Sequence, residues 1–209
     1  MSIKAKIKQY GIKNSLKRAV KAMLRRIGIQ YESFWYMVYH INEAELSGKM
    51  MRYDYSDVQE LKYEDFLKGD PQIFTNKKME LIQQRFKTGK YWAYGIVKNN
   101  TLAYSCWVNA EKLQYPTVIN KTTPFSQNEG LLQDAYCHSE HRGMGYHSKM
   151  NLYRLFKMKE KQLKRAVAIV LTENIPAYKT QLKSGFTASK KVTFYKILNK
   201  TFLFEKELS

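Results

Sequence analysis

The stretch "LLQDAYCHSEHRGMGYHSKM", residues 131–150, decides the fold. An apolar and aromatic run, Leu131 to Cys137, reads as a strand, and it leads through histidines into a turn carrying Gly143 and Gly145. A helical pattern follows at once, from about Gly145 to Lys164. Where a strand meets a helix through such a turn, backbone N–H groups converge at the positive end of the helix dipole and make a place to hold an anion. Next comes "RAVAIVL" (165–171), a short apolar run suited to a central strand. A strand, a helix and a strand in this order predict a right-handed crossover between parallel strands.

Outward from this unit, "NIPAYKTQLKSGF" predicts a further helix closing on Ser184-Gly185, and "KKVTFYKILNKTFLFEKEL" a last strand pair turning around Asn199-Lys200. Upstream, "YWAYGIVKNNTLAYSCWVN" (91–109) reads as a hairpin, because Asn99 and Asn100 both tolerate left-handed backbone geometry. "SFWYMVYHI" (33–41) reads as a strand, and "KYEDFLKG" and "NKKMELIQQRFKTG" as short helices. Ala110 to Glu129, with Pro116 and Pro124 and no period, reads as a long loop. The fold class that follows is α/β with a mixed central sheet.

With 209 residues, 44% of them hydrophobic, the chain can build one substantial core plus an appendage. The expected division is a basic segment over 1–30 and a domain over 31–209. No apolar run reaches the roughly 18–20 residues that cross a bilayer, and no signal-peptide core opens the chain. A cytoplasmic protein is expected, with peripheral contact at the inner membrane surface as one option. Cys106 and Cys137 are too few for a disulfide framework. The formal net charge is +18, and about half of it lies in Lys4, Lys6, Lys8, Lys13, Lys17, Arg18, Lys21, Arg25 and Arg26, with no acid among residues 1–26. Leu16, Val20, Met23, Leu24 and Ile27 fall at helical spacing there, so this is a basic amphipathic helix. Three uses compete: packing the apolar stripe on the domain, lying on an anionic membrane, or binding nucleic acid. The last is least favoured, because Tyr10 is the one aromatic residue there available to stack on bases.

In residues 91–198 the chain resembles the GNAT superfamily of acyl-CoA-dependent N-acyltransferases. Its coenzyme-A loop has Gln or Arg, two residues, Gly, one residue, then Gly or Ala; Arg142 and Gly145 match, and His147 departs from the third position. Of the family's later "N..A...Y...GF" pattern, Asn174, Ala177, Gly185 and Phe186 match, while Gln181 stands at the tyrosine and Tyr178 is the nearest tyrosine. The resemblance implies GNAT topology, acetyl-CoA as acyl donor and a small-molecule primary amine as acceptor. An amino sugar, or its nucleotide- or lipid-linked form, would suit the cationic surface. It implies cofactor binding by Arg142, Gly143, Met144, Gly145, Tyr146 and His147 at the loop, and by Tyr136, Cys137, Asn174 and Tyr178 along the pantetheine arm.

For catalysis, the resemblance calls for an acceptor of the ammonium proton. Asp134 is the first candidate, since period-two alternation would place it on one strand face with Leu132 and Tyr136. His138 and His141 flank the loop with suitable ordinary pKa values. Gln181 cannot supply a titratable proton but can donate a hydrogen bond to a departing thiolate. Lys149 could reach the phosphates or extend to water. A metal is not expected, because no carboxylate or cysteine completes a ligand set with His138, His141 and His147. The competing reading is an inactive GNAT-fold binding protein recruited to membrane or nucleic acid by its basic helix.

Overall fold

The structure, a computed structural model, describes residues 12–115, 121–125, 128–198 and 200–208. Lys4, Lys6, Lys8 and Tyr10, the prolyl residue Pro116 and the turn residue Asn199 lie outside these. The chain runs α1 (Ile12–Arg26), β1 (Ile29–His40), α2 (Glu43–Met50), β2 (Gln59–Glu60), α3 (Tyr63–Phe66), α4 (Asn76–Lys87), β3 (Tyr91–Lys98) and β4 (Thr101–Asn109). It continues with β5 (Lys112–Gln114), β6 (Thr122–Pro124), β7 (Glu129–Cys137), α5 (Tyr146–Glu160), β8 (Arg165–Leu171), α6 (Ile175–Lys183), β9 (Thr187–Ile197) and β10 (Lys200–Glu207).

Eight strands form one mixed sheet in the order β10-β9-β1-β8-β7-β4-β3-β2. β7 and β8 are its parallel pair, joined through α5 as the apolar run at 165–171 predicts. The β3–β4 hairpin turns at Asn99 and Asn100, both at positive φ (48° and 59°), which a two-residue turn of this kind requires. The predicted long loop differs: β5 and β6 pair as a small ribbon, seating Tyr115 against Leu131 and Val167. Three residues per strand are too few for periodicity to reveal.

α5 covers one sheet face, burying Met150, Leu152, Leu155 and Met158 against Tyr104, Cys106, Val108, Leu132, Ala166 and Ala168. On the opposite face Met79 and Ile82 of α4 pack with Phe66, Tyr91 and Trp107. Cores of this kind lose about 2–5 kcal/mol for each Leu, Ile or Met cut to Ala.

α1 docks by its polar side. Lys21 is buried and bonds Glu32 (2.7 Å) and Glu173 (3.0 Å), while Arg25 bonds Glu32 at 2.5 Å. Leu16, Val20, Met23 and Ile27 therefore face water, 65%, 49%, 70% and 63% exposed. Of the three uses read from the sequence, packing of the apolar stripe on the domain is thus overturned: the two carboxylates draw the opposite face inward.

Candidate active site

Gly143 and Gly145 have φ of 83° and 75°, and a Cβ built on either would meet nothing within 4 Å. Backbone conformation, not lack of space, requires glycine at both positions. Gly145 is the N-cap of α5, whose first turn has no acidic residue and no side-chain cap. The first N–H groups of α5 thus end on the loop, where Arg142 and Met144 are exposed. The histidine segment before it is a single 3-10 turn over Ser139–His141, with the His138 ring accepting from the Glu140 N–H (3.4 Å).

The sheet parts beside this loop. β7 and β8 pair from Glu129↔Arg165 to Leu132↔Ala168 and no further. Beyond that point β8 stays on β1 as far as Phe34↔Leu171, and β7 stays on β4 as far as Tyr104↔Cys137. The facing edges of β7 and β8 lose their strand partners there. A cavity of about 600 Å³ lies in the opening, lined among others by Asp134, His147, Arg154, Asn174 and Gln181.

A β-bulge in β7 shapes the wall. Between Trp107↔Gln133 and Ser105↔Tyr136, β7 has one residue more than β4, and Asp134 takes φ 51°. The expected alternation of Leu132, Asp134 and Tyr136 on one face fails for this reason. Leu132 packs under α5, whereas Tyr136 lies on the α4 side, its ring 4.8 Å from Phe74 and its hydroxyl accepting from the Asp70 N–H (3.4 Å). Asp134 also turns to α4, bonding Lys78 and Arg85 at 2.7 Å each. Burial opposes its ionisation, but the two cations outweigh it and hold the carboxyl below its ordinary range. A carboxylate so held is a poor proton acceptor.

On the α5 side, His147 Nδ1 and the Tyr104 hydroxyl are 2.6 Å apart. Burial drives the imidazole down to about 4, with the Arg154 charge adding to the shift, so His147 is neutral at neutral pH. Arg154 is 1% exposed and donates to the Trp107 carbonyl (3.2 Å) and to Asn151 Oδ1. Among the described residues its Nε has no hydrogen-bond partner and no carboxylate oxygen stands within 4 Å of its guanidinium. Asn151 in turn donates to Gln181 (3.2 Å) and to Ser184 (3.3 Å). This wall of the cavity therefore carries a buried cation with no counter-ion among the described residues, an arrangement that favours an anion beside it.

Of the residues predicted from sequence, Asp134, His147, Asn174 and Gln181 meet at the cavity. Asn174 caps α6, accepting from the Ala177 N–H (3.3 Å). Tyr136, Cys137, His138 and Tyr178 are not brought to it: Cys137 points to the α5 side of the sheet and Tyr178 packs on Trp35. Lys149 does not extend to water, as one of its two expected placements had it, but is buried and pairs with Asp57. Lys78, Arg85, Asn151 and Arg154 were not anticipated. A signal existed, since His147, Asn151 and Arg154 are spaced i, i+4, i+7, a polar stripe on a helix face that the sheet must bury.

No protein-family model and no curated protein sequence matches the chain. Solved structures do. A putative acetyltransferase of the GNAT family from Novosphingobium aromaticivorans superposes with a TM-score of 0.54 at 12% identity, covering 87% of this chain and 69% of that one. An acetyltransferase of the GNAT family from Colwellia psychrerythraea gives 0.53 at 13%, with 86% and 61% covered. A glucosamine N-acetyltransferase region of a fungal multi-domain GH3 β-N-acetylglucosaminidase gives 0.51 at 12%, with 87% of this chain and 23% of that one. The parted parallel strands, the bulge and the glycine turn thus stand in a chain whose fold is that of the GNAT acetyltransferases.

Proposed function

We propose that the protein is an N-acyltransferase that moves an acetyl or other short acyl group from coenzyme A to a primary amine. The observation that carries this reading is the parting of β7 and β8 after Leu132 and Ala168, which opens a cavity walled by the first turns of the helix that Gly145 begins. Its residues fit the donor. Gly143 and Gly145 leave open space where side chains would stand, and the uncapped, acid-free helix start suits a diphosphate. When bound, acyl-coenzyme A supplies an activated thioester. Edge groups of β7 past Leu132 are available to orient a carbonyl, and Arg154 sets a fixed positive charge beside the cavity, in the wall that holds Gln181. The chain therefore favours negative charge there without a titratable acid at position 181.

On the far side, Lys78 and Arg85 outnumber Asp134. The side chain of Asp134, a quarter exposed, keeps lone pairs free to accept from an ammonium group and orient it, with the proton leaving to solvent. The excess cation favours an amine whose carrier is anionic. An amino sugar linked to phosphate has that chemistry, and the fungal glucosamine N-acetyltransferase region shares the fold. A second reading, a protein that binds coenzyme A without turnover, is favoured by the tied-up Asp134 and by Gln181.

The deciding experiment is calorimetric titration with acetyl-CoA and with free coenzyme A, followed by thiol-release assays over a panel of amines. Gly145→Val should weaken binding at least about 100-fold, because a β-branched residue resists left-handed geometry at the point where amides converge. Binding with no thiol release on any amine would select the second reading, and no binding would remove both.

A further inference from the structure

We propose that α1 and the β9–β10 hairpin together form a single face that docks on an anionic lipid bilayer. The apolar stripe of α1 turns outward, and it does not end at the helix. Leu198 donates its N–H to the Gly28 carbonyl (2.9 Å), so the exposed Ile27 runs directly into the hairpin tip, where Leu198 is 70% exposed. From there Tyr195, Ile197, Phe202 and Phe204 continue the surface around a shallow apolar hollow. Tyr31, which lies under the Lys21 ammonium, packs on Tyr195 at 5.0 Å and ties the helix to this face. Monomeric soluble proteins rarely leave a contiguous apolar patch of such extent uncovered, least of all on an edge strand.

Charge selects the occupant. Strand alternation places Lys200, Phe202, Phe204 and Lys206 on one face of β10 and both acids, Glu205 and Glu207, on the other. On β9 the same face carries Lys191 with Thr193, Tyr195 and Ile197, and no acid. α1 ends in Arg26, which is exposed, after Arg25, which is held by Glu32, and the segment of 26 residues has no acid at all. Apolar side chains with Arg26, Lys191, Lys200 and Lys206 about them match an interface of acyl chains beneath anionic headgroups. A protein partner of mixed charge, or a second copy of this cationic face, has no such match. The described helices include none long and apolar enough to cross a membrane, so the contact is lateral.

The test is co-sedimentation of the full chain with vesicles of phosphatidylcholine, or of an equal mixture with phosphatidylglycerol, at low and high salt. Binding should require the anionic lipid and fall with salt. Met23→Glu with Phe204→Glu should weaken it at least about tenfold, and Arg26→Ser or Lys200→Ser about fivefold each. Circular dichroism checks that each variant is folded, and coenzyme A binding should not change in any. Absence of vesicle binding at low salt overturns the proposal. So does vesicle binding that the double variant leaves intact, or a dimer in solution that Met23→Glu dissociates. Retention on duplex DNA without vesicle binding overturns it in favour of nucleic acid. None of these readouts depends on acyl transfer, so failure here leaves the proposed activity standing.

Discussion

Lys21, Arg85, Lys149 and Arg154 are the buried cations among the described residues, and two of them, Lys21 and Arg154, are treated in opposite ways. Lys21 sits between Glu32 and Glu173, with Arg25 closing the cluster from outside. Arg154 sits under the parted strands with a carbonyl, an amide oxygen and no carboxylate among the described residues. Taking either charge out of water costs several kcal/mol, on the order of the whole stability of a small domain. For Lys21 the carboxylates offset that cost and the gain is a fixed α1. For Arg154 no carboxylate among the described residues offsets it, which fits the proposed site, whose complement arrives from outside.

The largest effect expected from breaking this contrast is on stability at Lys21. Lys21→Met leaves Glu173 facing Glu32 and should destabilise the protein by about 3–5 kcal/mol in denaturant unfolding, with Lys21→Arg recovering most of it. Coenzyme A binding per folded molecule should not change.

Arg154→Met should do the reverse. Removing an unpaired charge stabilises, while orphaning the Trp107 carbonyl and Asn151 Oδ1 costs about 1–3 kcal/mol each, so net stability should move little. The proposed acyl transfer should slow about 100- to 1,000-fold, the scale of losing one preorganised electrostatic contact. A second readout needs no turnover: thiolate absorbance of bound coenzyme A, titrated with pH, should show a thiol acidified by the wild type and less so by the variant. Equal destabilisation by the two substitutions, with activity tracking the folded fraction, would erase the distinction between them.

How much of this was readable depends on range. The crossover and the hairpin at Asn99-Asn100 were legible because each rests on neighbours in sequence: an apolar run and a turn pair. The glycine turn was legible for the same reason. Asp134 was found as a residue but misplaced, since one extra residue in β7 changes which side chains share a face and no local pattern announces it. Lys78 and Arg85 lie 49 or more residues from Asp134, and their approach is set by how α4 packs on the sheet. Docking of α1 was the hardest to read. Hydrophobic period identifies an apolar face, but two carboxylates, Glu32 close by in sequence and Glu173 152 residues from Lys21, decided which face turned in.

The smallest effect separates the two walls of the cavity by pH. His147 has a folded pKa near 4, against about 6.5 when unfolded, so in acid the unfolded chain binds the extra proton. Its contribution is constant above about pH 6.5 and is lost as pH falls from there towards 4, by about 3 kcal/mol at most and less where water reaches the ring. Asp134 is also depressed, so the stability it contributes is full above the ordinary carboxylate range and begins to be lost as pH falls through that range. Unfolding measured from pH 7 to pH 3 should therefore fall in two stages, the first belonging to His147 and the second to Asp134 and other carboxylates. His147→Phe should flatten the first stage and leave the second. It should also leave Tyr104 without its partner, and since the Tyr104 hydroxyl is itself pushed upward by burial, that group will stay protonated and not take over the titration. Were the first stage to survive in His147→Phe, the imidazole would have no part in it, and the stage could not be assigned to the α5 wall.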